Sequence, residues 1–246
     1  MISSIDEQAV EQAGFRSWPA RETLEHSGLL LRCADGYTKR ANSINALRSV
    51  QGDYVQILSD CEKHFQAWAL PLVFRLPSFT DNSEFDQFLE SNHYKKIDES
   101  LVMTLDFDTG IELEAERIES VDLDRWLKAF CDISPGAYEN FEAHKEILSR
   151  VSDEVLFAVS WFEGKPQSCG LGVLSEGHFG LFDLVTRNDR RRMGHSRRLL
   201  QQMMAWAAQR SAQTAYMQVL GTNAAAIALY RGLGFQEAYH YWYRKR

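Results

Sequence analysis

Along the second half of the chain the apolar positions change period in a fixed order. Residues 156–162, 168–174 and 178–186 read as extended runs. The turn segments Glu163-Gly164-Lys165-Pro166 and Ser175-Glu176-Gly177 divide them, which predicts an antiparallel meander. Beyond it Leu199, Leu200, Met203, Met204 and Ala207 share one helical face. A strand over 215–220, a short helix over 223–231, a Gly232-Leu233-Gly234 stop and an aromatic strand over 235–243 follow. Ahead of the meander, 121–130 and 141–149 carry helical patterns that Ser134-Pro135-Gly136 must separate. The first half repeats part of this plan, with a helix over 54–69, a strand over 72–76, a short helix over 84–90 and an extended run over 94–107. Residues 72–76 align with 216–220 and 88–94 with 229–235, the pattern of a divergent internal duplication. A polar junction at Asp106-Phe107-Asp108-Thr109-Gly110, before a new alternating run (Ile111, Leu113, Ala115), divides the chain into units 1–108 and 109–246.

Composition narrows the function classes. Of 246 residues, 45% are hydrophobic and 25% charged, which is ordinary for a globular protein with its own core. No apolar stretch approaches the roughly 20 residues of a membrane helix, and the acidic start lacks the layout of a signal peptide. Cys33, Cys61, Cys131 and Cys169 are widely spaced with no C-x-x-C pair, so free thiols, a cytoplasmic location and no metal are expected. A net charge of −7 argues against nucleic acid as the partner, because phosphate neutralisation needs a basic face. The one dense basic cluster is Arg187, Arg190 to Arg192, Arg197 and Arg198.

That cluster surrounds Arg191-Arg192-Met193-Gly194-His195-Ser196, between a predicted strand and a predicted helix. Main-chain donors at a helix N-terminus, the positive end of its dipole and a close-approach glycine form a phosphate cradle. A solvated helix start is the plainer alternative for a charge run, and nucleic acid the third. The placement after a strand favours a small phosphorylated ligand.

The loop resembles the R/Q-x-x-G-x-G/A motif of the GNAT superfamily of acyl-CoA-dependent N-acyltransferases, with Ser196 in place of the last small residue and Asn188 in place of a common proline. Asn223-Ala224-Ala225-Ala226-Ile227-Ala228-Leu229-Tyr230-Arg231-Gly232-Leu233-Gly234-Phe235 resembles its N-x-x-A-x-x-L-Y-x-x-L-G-F signature. The resemblance covers roughly residues 111 to 246. It implies the GNAT fold, an α/β (α+β) architecture with a mixed, mostly antiparallel sheet flanked by helices, here joined to a smaller divergent GNAT-like N-terminal domain. That first copy has no phosphate loop and carries Leu89 where the second has Tyr230, so it is expected to be silent.

The resemblance also implies acetyl-CoA as cosubstrate and a primary amine as acceptor. Leu184, Val185 and Thr186 would face the pantetheine at a splay between two strands. Arg191, Arg192, Met193, Gly194, His195, Ser196 and Arg197 would cradle the pyrophosphate, and Asn223 would bond the pantetheine or hold the loop. Tyr230 would protonate the leaving thiolate. In the ribosomal alanine N-acetyltransferase branch, which the second motif resembles most, a glutamate lies five residues before the asparagine; here Gln218 stands there, and glutamine cannot take a proton. Asp183, a carboxylate interrupting an apolar strand, is then the first candidate base, with Glu176 and His178 behind it. His195 is expected to be a spacer. Catalysis by direct attack in a ternary complex is the leading expectation, and a CoA-binding sensor without turnover the rival.

Overall fold

Two runs of elements, alike in order from the first strand of each onward, build the molecule. In the computed structural model, which describes residues 5–107, 118 and 120–246, the first run is α1 (Glu7–Ser17), β1 (Glu22–His26), β2 (Leu29–Cys33), β3 (Ile44–Asn45), α2 (Tyr54–Ala67), β4 (Val73–Pro77), α3 (Ser83–Ser91) and β5 (Lys95–Asp106). The second is α4 (Leu123–Ile133), α5 (Phe141–Ser149), β6 (Glu154–Phe162), β7 (Lys165–Ser175), β8 (His178–Thr186), α6 (His195–Ala208), β9 (Thr214–Leu220), α7 (Ala224–Arg231) and β10 (Gln236–Lys245). Asp108, Thr109 and Gly110 of the expected junction, and the run through Ile111, Leu113 and Ala115, lie outside the described residues.

All ten strands join one sheet in the order β1-β2-β3-β4-β10-β5-β9-β8-β7-β6. Neighbours are antiparallel except β3 with β4 and β8 with β9, so the arrangement reads alike from either edge to the central β10–β5 pair. The two terminal strands are exchanged. β10 of the second run pairs with β4 of the first, and β5 of the first pairs with β9 of the second. Neither run therefore completes its own sheet.

Packing ties the runs further together. One core cluster combines Val10, Ala13, Trp18 and Val73 from the first with Trp126, Phe130, Leu171, Phe182 and Tyr216 from the second. Within it α1 carries the buried Glu11, which accepts from both terminal nitrogens of Arg75 on β4 at 2.6 and 2.7 Å and from the Tyr239 hydroxyl on β10 at 2.6 Å. Both partners of that ion pair are 2% exposed, and breaking one side of such a pair costs about 3–5 kcal/mol. The helix α1 was not predicted from the apolar pattern. Its buried face is Val10, Glu11, Ala13, Gly14 and Ser17, small and polar rather than an apolar stripe. The four cysteines are free and buried, and no helix among the described residues is long and apolar enough to cross a membrane.

Candidate functional site

The parallel pair β8–β9 is hydrogen-bonded only from His178↔Thr214 to Leu181↔Met217, and then the strands part. The cause is local. Asp183 sits at φ 49° in a bulge where the β7–β8 register slips between Cys169↔Val185 and Leu171↔Phe182. Gly170 lies inside that slip, where an added Cβ would be 2.6 Å from Leu184 Cδ2 and would make that side chain shift. Beyond the bulge Leu184, Val185 and Thr186 line one wall of a groove of about 800 Å³, whose other walls are the arginine loop, Ile133 to Ala137 and α7.

The loop reaches α6 through two left-handed residues, Arg192 at φ 62° and Gly194 at φ 81°. Gly194 is the N-cap, and no side chain caps the first turn. Its main-chain donors are thus open to the groove, at the positive end of the helix dipole. Arg191, Arg192 and Met193 are exposed, while His195 and Ser196 are half-buried. The Ser196 hydroxyl is 2.8 Å from that of Thr186, which ties the strand end to the helix start. Arg197 donates to the Gly232 carbonyl at 3.0 Å, so its guanidinium buttresses the end of α7. Open amides, flanking arginines and a glycine at close approach are a donor set that fits a pyrophosphate.

Asn223 caps α7, accepting from Ala226 N at 3.2 Å. Tyr230, one face further along α7, is half-buried, and desolvation raises the pKa of its phenol. Its hydroxyl makes no hydrogen bond to a described residue. Asn223, Leu184 and Tyr230 also line a second, smaller chamber of about 180 Å³ with Arg40, Phe182, Asp183 and Gln218. The groove and the chamber meet at Tyr230.

Asp183 opens onto the chamber, and its Oδ2 lies 3.0 Å from His144 Nε2. His144, 2% exposed on α5, is walled by Trp18, Tyr37, Trp126 and Phe130, with ring centroids 5.3 to 5.8 Å away. Burial, and then the charge of Asp183, push the Tyr37 phenol up to about 12. This pair sets a carboxylate on the chamber wall against a buried imidazole behind it. Glu176 instead pairs with Arg16 at the surface, and His178 starts β8 with Nδ1 3.2 Å from the Glu176 carbonyl; neither lines the groove or the chamber.

Three residues of the site were not singled out from the sequence. His144 shares its helix face with the buried Ile147 and Leu148, a polar residue at an apolar position, which is a readable signal. Arg40 on the chamber wall and Trp18, packed against it and against His144, carry no comparable pattern, because they come from the first run across the interface between halves.

Compared with known proteins, residues 4–244 match the model of a family described as "Probable histone acetyltransferase Rv0428c C-terminal". The chain is 25% identical over 246 residues to the uncharacterized N-acetyltransferase YobR of Bacillus subtilis (strain 168), covering 97% of this chain and 98% of that one. Among solved structures it is similar to a GCN5-related N-acetyltransferase from Kribbella flavida, at 14% identity and TM-score 0.73, over 96% of this chain and 94% of that one. It is also similar to a tandem GNAT protein from the clavulanic acid biosynthesis pathway, at 11% identity and TM-score 0.63, over 96% and 87%. At those identities the likeness is one of fold, and in the second case of tandem units.

Proposed function

Since the chain belongs to the family of the Rv0428c C-terminal model and is an N-acetyltransferase of the GNAT type, we propose that it transfers acetyl from acetyl-CoA to a primary amine by direct attack in a ternary complex. The observation that carries this reading is the junction of groove and chamber at Tyr230. A donor stretched along the groove and an acceptor seated in the chamber come together there.

In this reading the loop amides of residues 191–197 hold the pyrophosphate, with Arg191 and Arg192 adding charge-assisted bonds at the rim. Leu184, Val185 and Thr186 offer main-chain groups to the pantetheine where β8 and β9 part. Asn223 shapes the turn between the two spaces by capping α7. Asp183, held by His144, takes a proton from the acceptor ammonium. The neutral amine attacks the thioester carbonyl, the C–N bond forms, and the C–S bond breaks. The departing thiolate takes the phenolic proton of Tyr230, which burial keeps in place beforehand, and the second proton of the attacking nitrogen, shed as the amide forms, restores the phenol. Residues 109–246 carry the donor site in this division, and 1–108 form the accessory unit.

Free-thiol release is the direct test: the purified protein is mixed with acetyl-CoA and a panel of amines and peptide N-termini. Thiol release with at least one amine is the expected result, and a protein that binds no acyl-CoA would sink the reading.

A further inference from the structure

The chamber holds a cation that no described carboxylate pairs with directly. Arg40 comes from a single 3₁₀ turn, Lys39–Ala41, in the first run. Its guanidinium carbon lies 5.1 Å from the Trp18 ring centroid and 5.2 Å from that of Phe182. Its Nε donates to Gln218 Oε1 at 3.1 Å, and the Tyr241 hydroxyl donates to the same oxygen at 3.1 Å. Its two terminal nitrogens donate to no described residue, and Arg40 forms no ion pair with a described carboxylate. An unpaired arginine on open surface would mean little. This one is fixed by two rings and one hydrogen bond, so the entropy of ordering it is already spent before any ligand arrives.

The neutrality of its neighbour is informative. A glutamate at 218 could accept the same two hydrogen bonds and would cancel the charge; the glutamine positions Arg40 and leaves the charge available. Asp183 contributes the opposite charge to the same small chamber. An occupant that satisfies both carries an amine and an anion a few bonds apart. The planar fork of a guanidinium matches a carboxylate in particular.

We propose that the acetyl acceptor is a small amino-acid-type molecule whose carboxylate is held by the terminal nitrogens of Arg40 while its amine lies against Asp183. This rests on the acetyl-transfer reading above and adds the substrate class. Gln218 is then a positioning residue that acts through Arg40. A chamber of about 180 Å³ suits a molecule of that size.

The experiment compares kcat/KM at saturating acetyl-CoA for alanine, leucine and phenylalanine with that for ethylamine, isoamylamine and phenethylamine and for the three methyl esters. Wild type is expected to favour at least one free amino acid over both of its partners by about 10- to 100-fold, the worth of a charge-assisted hydrogen bond. Arg40→Gln should bring that ratio close to one, Arg40→Lys should restore part of it, and Gln218→Glu should lower it by neutralising Arg40. A readout without turnover is calorimetric binding of the N-acetylated amino acids to the CoA complex, where the free carboxylate should outbind its methyl ester. Equal or reversed preference in wild type, a preference that survives Arg40→Gln, or no binding of the carboxylates overturns the assignment. Failure of the parent reading shows separately, as absent acetyl-CoA binding in its own titration.

Discussion

Asp53 and Gly194 open equivalent helices, α2 and α6, each following the strand that runs parallel to its neighbour, and they leave those helices in opposite states. The Asp53 carboxylate accepts from Val55 N and Gln56 N at 2.9 and 3.3 Å, so the donors are satisfied and the dipole is already met by an anion. Gly194 offers no side chain, and the donors of α6 stay open. The asparagines that precede α3 and α7 diverge in the same sense. Asn82 is buried and binds the loop between β3 and α2, accepting from Val50 N at 2.8 Å and donating to Ala46 and Arg48 carbonyls. Asn223 is exposed and caps only its own helix. Where no such divergence occurred the halves still match. Tyr94 N donates to Leu89 O at 3.0 Å as Phe235 N donates to Tyr230 O at 3.1 Å, and His93 at φ 67° turns the chain as Gly234 does at φ 96°. The first half therefore differs from the second by a carboxylate at one cap and a buried amide at another, with the backbone plan alike.

The comparison can be broken most directly by giving the second half the first half's cap. Gly194→Asp should weaken acetyl-CoA binding by about 100-fold or more, since like charges brought together cost several kcal/mol. Gly194→Asn, the same shape without the charge, should lose much less in the same titration; equal losses would assign the effect to the left-handed backbone instead. Next in size is Tyr230→Phe, which removes the hydroxyl that Leu89 lacks. Its kcat should fall about 100-fold with acetyl-CoA affinity nearly unchanged. Wild-type turnover in that variant would discard the acid role.

Stability sharpens the contrast between the asparagines. In urea denaturation Asn82→Ala should cost about 2–3 kcal/mol, because buried donors and acceptors lose their partners, and Asn223→Ala about 1 kcal/mol, the worth of a cap. The reverse order would mean that Asn82 does not seal the first loop. The smallest effect concerns the contact between halves at Asp86 of α3, which accepts from Arg244 and Trp242 of β10. Burial works to raise its pKa, but those hydrogen bonds outweigh it and hold the carboxyl below its ordinary 3.8. The stability it supplies is complete above that pH and is lost as pH falls through the lowered value. Asp86→Asn should accordingly lower stability modestly at neutrality and flatten the acid limb below pH 3.8, so that the difference from wild type shrinks as pH falls.

Much of the plan was legible before any coordinates. The meander, α6, β9, α7 and β10 follow from period and turn chemistry, and the match between residues 88–94 and 229–235 returns as the same helix termination in both halves. Leu184 to Thr186, Gly194, Asn223 and Tyr230, expected to act together from their motifs, do line one groove. Asp183, the first candidate base, lies on the chamber wall, where the bulge at φ 49° turns the strand and His144 meets it from α5. What could not be read was α1, whose buried face is polar, and the exchange of β5 and β10, because either strand's alternation suits several neighbours equally.

Local chemistry is written in residues close together in the chain, so the sequence by itself determined the arginine–glycine loop, the tyrosine helix and their order. Residues 144, 183 and 218 meet through the folding of the second half, and residue 40 joins them from the first across the contact between halves. Contacts across such separations leave no period or spacing in one chain. The first half thus has no open helix cap at Asp53 and lends Arg40 to the chamber wall of the second, with Trp18 and Tyr37 packed against His144.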